Sequence, residues 1–190
     1  MRCFYEISLS VIKHQNDAQL ESLLNVISSA VGSLTNPRKL EDTFASSGTG
    51  KLSASTIKQY LDYLCDAFMI EQAERYDIKG KRYISTPYKY YFTDTGLRNA
   101  RLNFRQLEET HLMENVMYNE LCLRGDSIDV GVVEINERQE DGKYVRKQIE
   151  VDFVCNKADE RVYVQSAFSI PTTEKRQQEE RPLVNVGDGF

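Results

Sequence analysis

The chain has 190 residues, a net charge of −5 and 41% hydrophobic residues. That length allows one sizeable domain or two small ones, and the composition excludes a disordered or collagen-like chain. No apolar run approaches the roughly 20 residues of a membrane helix, and the charges in Met1 to Glu6 come too early for a signal peptide.

The acidic balance weighs against bulk nucleic-acid affinity but leaves room for a local basic patch. Cys3, Cys65, Cys122 and Cys155 form no Cys-x-x-Cys pair, and the histidines are His14 and His111. Free cytoplasmic thiols fit this spacing better than a zinc site or a disulfide framework.

In chain order, Leu20, Leu23, Leu24, Ile27, Ala30 and Val31 recur at helical spacing after a capping Asn16 or Asp17. Asn36-Pro37 starts a second helix with Leu40 and Phe44 as its stripe and Gly48 as its stop. A third begins near Ser53 and puts Ile57, Tyr60, Leu61, Leu64 and Phe68 on one face. Strands are expected over Met69 to Tyr76, Arg82 to Ser85 and Tyr88 to Phe92, around a turn at Asp77 to Lys81. Three helices and a basic hairpin make a winged helix-turn-helix pattern, with Lys79, Lys81, Arg82 and Lys89 on or near the wing.

Asp94-Thr95-Gly96-Leu97-Arg98 reads as a junction. A long helix follows from Glu109 to Arg124, then strands over Ile128 to Val132, Tyr144 to Cys155 and Val162 to Phe168, with a turn at Glu140-Asp141-Gly142. A charged helix from Pro171 to about Arg181 closes an α/β domain. The expected fold class is therefore α/β (α+β), with a winged-helix-like domain over 1–105 and a second α/β domain over 106–190.

Gly48-Thr49-Gly50-Lys51 imitates a phosphate loop, but Leu52 stands where serine or threonine would hold magnesium and Ala45 replaces the first glycine. ATP binding is not expected. Ser55, Thr56 and Lys58 lie at the start of the third helix, the part of a recognition helix that reaches DNA. With Lys79, Lys81 and Arg82 they are the candidate nucleic-acid contacts.

A second constellation is acidic. Alternation puts Glu150 and Asp152 on one strand face, with Ile149, Val151 and Phe153 on the other. The long helix offers Glu114 at the edge of its apolar face and Glu120 in the middle of it, where burial and a partner are expected. A strand carboxylate, a helix acid and an acid-x-lysine on the next strand are how several nucleases hold magnesium. Here that strand carries Gln165-Ser166-Ala167, which lacks both the anionic ligand and the cation.

Thr56 to Leu64, Arg75 to Lys81, Lys89 to Arg98, Glu114 to Leu121 and Glu150 to Val154 together resemble the C-terminal half of a family of prokaryotic AAA-type P-loop ATPases, a domain of unknown function. The resemblance covers nearly the whole chain except its end, Val184 to Phe190. It implies a winged helix joined to a restriction-endonuclease-like fold, with Glu114, Asp152 and Gln165 at the three motif positions and the ATPase half absent. Many relatives carry Glu-Val-Lys where this chain has Gln165-Ser166-Ala167, so cleavage is not expected. The site expectations are Glu114, Asp152 and Gln165, with Glu120 as second choice and Glu114 with Asp152 as the metal pair. No cofactor is expected unless the nuclease-like site is active, when magnesium would be needed. Candidate partners are DNA, an AAA-type ATPase domain or another protein. The alternatives to a nucleic-acid-binding or regulatory module are a metal-dependent nuclease with an altered motif and a protein-protein interaction module.

Overall fold

The computed structural model describes residues 17–47, 51–106, 108–139 and 142–187. The chain divides into two compact units, one of residues 1–72 with 90–107 and the other of residues 73–89 with 108–190. Among the described residues it is a mixed α+β chain of six helices and a five-stranded sheet.

The first unit holds α1 (Asp17–Ser29), α2 (Pro37–Ser47), α3 (Ala54–Asp66) and α4 (Thr95–Arg101). The helical periodicities are real: Leu20, Leu23, Leu24, Ile27 and Val31 are buried with Leu40, Phe44, Ile57, Tyr60, Leu61 and Leu64. Asn36 caps α2 by accepting the Lys39 amide at 2.8 Å, and Ser53 caps α3 by accepting the Thr56 amide. The proposed cap Asn16 and stop Gly48 lie outside the described residues, as does most of the glycine-rich turn that follows. Phe68 departs from the expectation. It falls beyond the end of α3 at φ +54 and is 79% exposed, so it leaves the helical face it was assigned to.

The Asp94 to Arg98 run is more than a junction. Asp94 caps α4 by accepting the Gly96 and Leu97 amides at 2.7 and 3.2 Å. A Cβ at Gly96 would stand 2.9 Å from the Asp94 carboxylate oxygen, so the tight turn suits glycine. Arg98 is fully buried and donates Nε to the Ser28 carbonyl at 2.8 Å and Nη1 to the Gln106 carbonyl at 2.6 Å. It therefore satisfies a carbonyl at the C-terminus of α1, where a cation also meets the negative end of the helix dipole.

Strands β1 (Ile70–Asp77) and β2 (Arg82–Phe92) form a hairpin. Its base belongs to the first unit and its turn end, residues 73–89, to the second. A single boundary near residue 105 and this division differ in where the hairpin tip falls. The two expected segments of β2 are one strand running through Pro87; its place at the sheet edge tolerates a residue with no amide donor.

In the second unit, α5 (Glu109–Leu123) precedes β3 (Ser127–Arg138), β4 (Tyr144–Lys157), β5 (Glu160–Val164) and α6 (Thr173–Val184). The sheet order is β2-β1-β3-β4-β5; β1 runs parallel to β3, while β4 is antiparallel to both of its neighbours. Val133, Val151, Val154 and Ile78 form a buried core with Leu183 and Val186, so α6 covers that sheet face. Tyr118 of α5 meets Phe153 on the other face at 6.2 Å between ring centroids.

Strict alternation would put Phe153 with Val151, under α6. The register explains why it is not there. Asp129 pairs with Val154 and Gly131 with Val151, so β4 spends three steps where β3 spends two. The extra residue is a β-bulge in β4 at Asp152-Phe153, which turns Phe153 to the α5 face and Val154 to the α6 face. β5 also ends sooner than expected, at Val164, so Gln165 to Ala167 are irregular chain beyond the strand.

Candidate functional site: an acid and lysine cluster on the bulged strand

Asp152 sits on the bulge, and Glu150 precedes it on the same face. Glu114 projects from the inward face of α5 and is 7% exposed. Between them lies Lys89, from the outer part of β2 and 4% exposed. Its ammonium is 2.9 Å from Glu114 Oε1 and 2.6 Å from Glu150 Oε1. Lys89 is thus a buried partner of acids, not an exposed wing residue.

Asp152 is held differently. Its Oδ2 accepts the Ser166 amide at 2.8 Å and the Ser166 hydroxyl at 2.6 Å. Gln165 Oε1 accepts the Asp152 amide at 3.4 Å. The structure therefore brings together Glu114, Asp152 and Gln165, with Glu150, Lys89 and Ser166 as members that the motif reading did not place at the site.

The electrostatics follow from burial. Burial pushes the Asp152 carboxyl above the usual carboxylate range; the two Ser166 hydrogen bonds pull it back, Glu114 adds to the rise and Lys89 opposes it. Burial alone would depress the Lys89 ammonium, but Glu150 and Glu114 outweigh it and leave its pKa above the ordinary lysine value. Lys89 is therefore a fixed cation at neutral pH.

These oxygens do not fit a magnesium ion as arranged. Magnesium needs near-octahedral hard oxygens and keeps several waters. Here an ammonium already occupies the space between Glu114 and Glu150, Asp152 Oδ2 is filled by Ser166, and Gln165 turns its carbonyl oxygen to a backbone amide.

Glu120 is a correction. It lies on the outer side of α5, its side chain 55% exposed, and its partner is Arg124 at 3.0 Å. Val116 and Leu123, apolar residues on the same side of the helix as Glu120, are 53% and 84% exposed. The inward face is instead Glu114, Asn115 and Tyr118. A polar face covers a polar cluster, so hydrophobic periodicity pointed the wrong way.

The proposed nucleic-acid contacts fall in both units. Ser55, Thr56 and Lys58 are on α3 in the first; Lys58 is exposed and pairs with Asp62 at 2.7 Å. Lys79, Lys81 and Arg82 are at the hairpin turn in the second. Lys79 donates to the Glu134 carbonyl at 3.2 Å, and Arg82 lies 3.4 Å from Asp77. Lys81, at φ +53, lines an open pocket of about 420 Å³ with Tyr76, Asn156 and Arg161.

Behind that pocket is a polar group the sequence did not reveal. Arg161 lies 5.2 Å from the centroid of the Tyr76 ring and donates to Asn156 at 2.8 Å. Asn156 and the Tyr83 hydroxyl both donate to Asp129 at 3.2 Å. Burial pushes the Asp129 carboxyl up, against the Tyr83 hydrogen bond. Pairing of all five strands assembles these residues.

Residues 8–108 match the family profile described as "Domain of unknown function (DUF8612)". An "Uncharacterized protein" of Haemophilus influenzae is 34% identical over 191 residues, which is 98% of this chain and 44% of that protein. The chain thus spans less than half the length of the relative it matches. No solved structure gives a significant match.

Proposed function

We propose a nucleic-acid-binding, regulatory role for this chain, which belongs to the DUF8612 family. In this reading it is the C-terminal module of a longer AAA-type ATPase, a winged helix joined to a restriction-endonuclease-like domain whose catalytic site no longer cleaves. The observation that carries the reading is Lys89 seated between Glu114 and Glu150. In this reading the helix acid and strand acid are those of a nuclease-like site, and the Lys89 ammonium pairs with Glu114 and Glu150 where a metal ion would otherwise be drawn. The share of the Haemophilus relative left unmatched is consistent with a module of a larger protein.

DNA contact in this reading comes from α3 and the hairpin turn. Ser55 and Thr56 at the start of α3 can donate to phosphates, Lys58 and Lys81 are exposed, and Arg82 is held only by a 3.4 Å pair. Lys81 and Arg161 line one pocket, together with Asp159 and Glu160. The test is fluorescence anisotropy with a labelled duplex at graded salt. Lys58→Ala and Lys81→Ala should each reduce the slope of log affinity against log salt by about one unit. Absence of binding even at low salt would refute the reading in favour of a protein-interaction module.

A further inference from the structure

The open side of the β3–β4 ribbon extends the acid and lysine cluster outward, and its chemistry is not that of the rest of the chain. Arg138 pairs with Tyr144, Asn136 with Arg146, and Glu134 with Gln148. Directly opposed residues share a face, so these six side chains lie on the side that carries Glu150 and Asp152. Contacts agree: Arg146 is 3.6 Å from Glu134, and Arg75 of β1 donates to Gln148 at 3.4 Å. The other ribbon face holds Ile135, Ile149, Glu137 and Lys147. There Ile135 and Ile149 pack in the core with Leu183, and Arg181 of α6 pairs with Glu137 at 2.6 Å.

The inner part of one ribbon face is therefore covered by α6, with Val145 and Lys147 exposed beyond it, and the other face is open. On the open face Asn136, Arg138, Tyr144, Arg146 and Gln148 are all exposed. Arg75, Arg138 and Arg146 stand on this face; Glu134 is the carboxylate of its outer part, and Glu150 and Asp152 follow toward the cluster, in a chain whose net charge is −5. Among the described residues the buried Arg75 Nε finds no hydrogen-bond partner. Arg146 is four residues from Glu150, or roughly 13 Å along a strand.

We propose that this open ribbon face is a second DNA-binding surface, along which the phosphate backbone of a duplex runs toward the acid and lysine cluster. Guanidinium groups carried on three neighbouring strands suit phosphate oxygens, and Tyr144, 69% exposed, adds a hydroxyl donor and a flat ring at the outer end of β4. The α6 cover on the opposite face keeps the ribbon from entering a groove as a free two-stranded arm. It lies on the backbone instead, so contact is insensitive to sequence. The acids of the cluster repel phosphate, and the arginines outward of them provide the compensating attraction.

The inference rests on the nucleic-acid reading above and is tested separately from it. The full chain is titrated against a labelled 20-base-pair duplex and the matching single strand at several salt concentrations. Arg138→Ala with Arg146→Ala should weaken duplex binding about tenfold and lower the salt slope by about two units. Lys147→Ala, on the opposite face and paired with Glu137, should stay within about twofold of wild type, with circular dichroism verifying that each variant is folded. Equal weakening by Lys147→Ala, or no change in the double variant while Lys58→Ala and Lys81→Ala still weaken binding, overturns the ribbon surface and leaves the general reading intact. Wild type that binds no duplex at low salt removes both. Preference for the single strand would contradict the duplex assignment.

Discussion

At the scale of single residues, Lys89 is the side chain whose environment departs furthest from its sequence context. It stands in an exposed-looking run, Tyr88-Lys89-Tyr90, and ends up 4% exposed between two acids. Removing one partner of a buried ion pair leaves the other charge unpaired and costs about 3–5 kcal/mol. Lys89→Met should lose that much in urea unfolding at neutral pH, and Lys89→Arg should lose less. The pH dependence has a definite sign. The folded pKa of Lys89 is raised, so its contribution is whole below the ordinary lysine pKa of about 10.4 and fades as pH rises through the folded value. Wild type should lose stability in that alkaline window, and Lys89→Met should lack this loss. A Lys89→Met protein as stable as wild type at neutral pH would show that the pair is not what holds the cluster.

At the scale of elements, the β4 bulge positions the cluster, and Gly131 makes room for it. A Cβ at Gly131 would lie 2.8 Å from Val151 Cβ and 2.9 Å from both Ile78 Cδ1 and Val154 Cγ2. Those atoms are in the packed face under α6 and have little freedom to move. Gly131→Ala should therefore destabilise by about 1–3 kcal/mol through overpacking, measured by chemical denaturation. A neutral substitution would mean that the bulge can relax. The elements themselves were largely legible, because α1 to α3 carry strong apolar periodicity and α2 and α3 have good caps. Two things were not. A bulge is a pairing property, invisible in one strand, so alternation put Phe153 on the wrong face. The inward side of α5 is polar because it covers Lys89 and the acids, so an apolar-face rule buried Glu120 and put Glu114 only at the edge of that face. Glu114 and Asp152 were nonetheless identified as a pair through the family resemblance, whereas Lys89 and Glu150 needed the fold to meet.

At the scale of the whole molecule, a chain of net charge −5 that binds DNA must do so through local cations, with modest affinity and strong salt dependence. The hairpin turn, the start of α3 and the open ribbon face each offer such cations. In the proposed function DNA is bound and left uncut, with Lys89 paired to Glu114 and Glu150. The most direct measurement incubates the full chain with end-labelled duplex and single-stranded DNA, with magnesium and then manganese, following anisotropy and running a denaturing gel on the same samples. The account expects salt-sensitive binding to intact DNA in every lane. Cleavage that appears with metal and disappears in Asp152→Ala would contradict it.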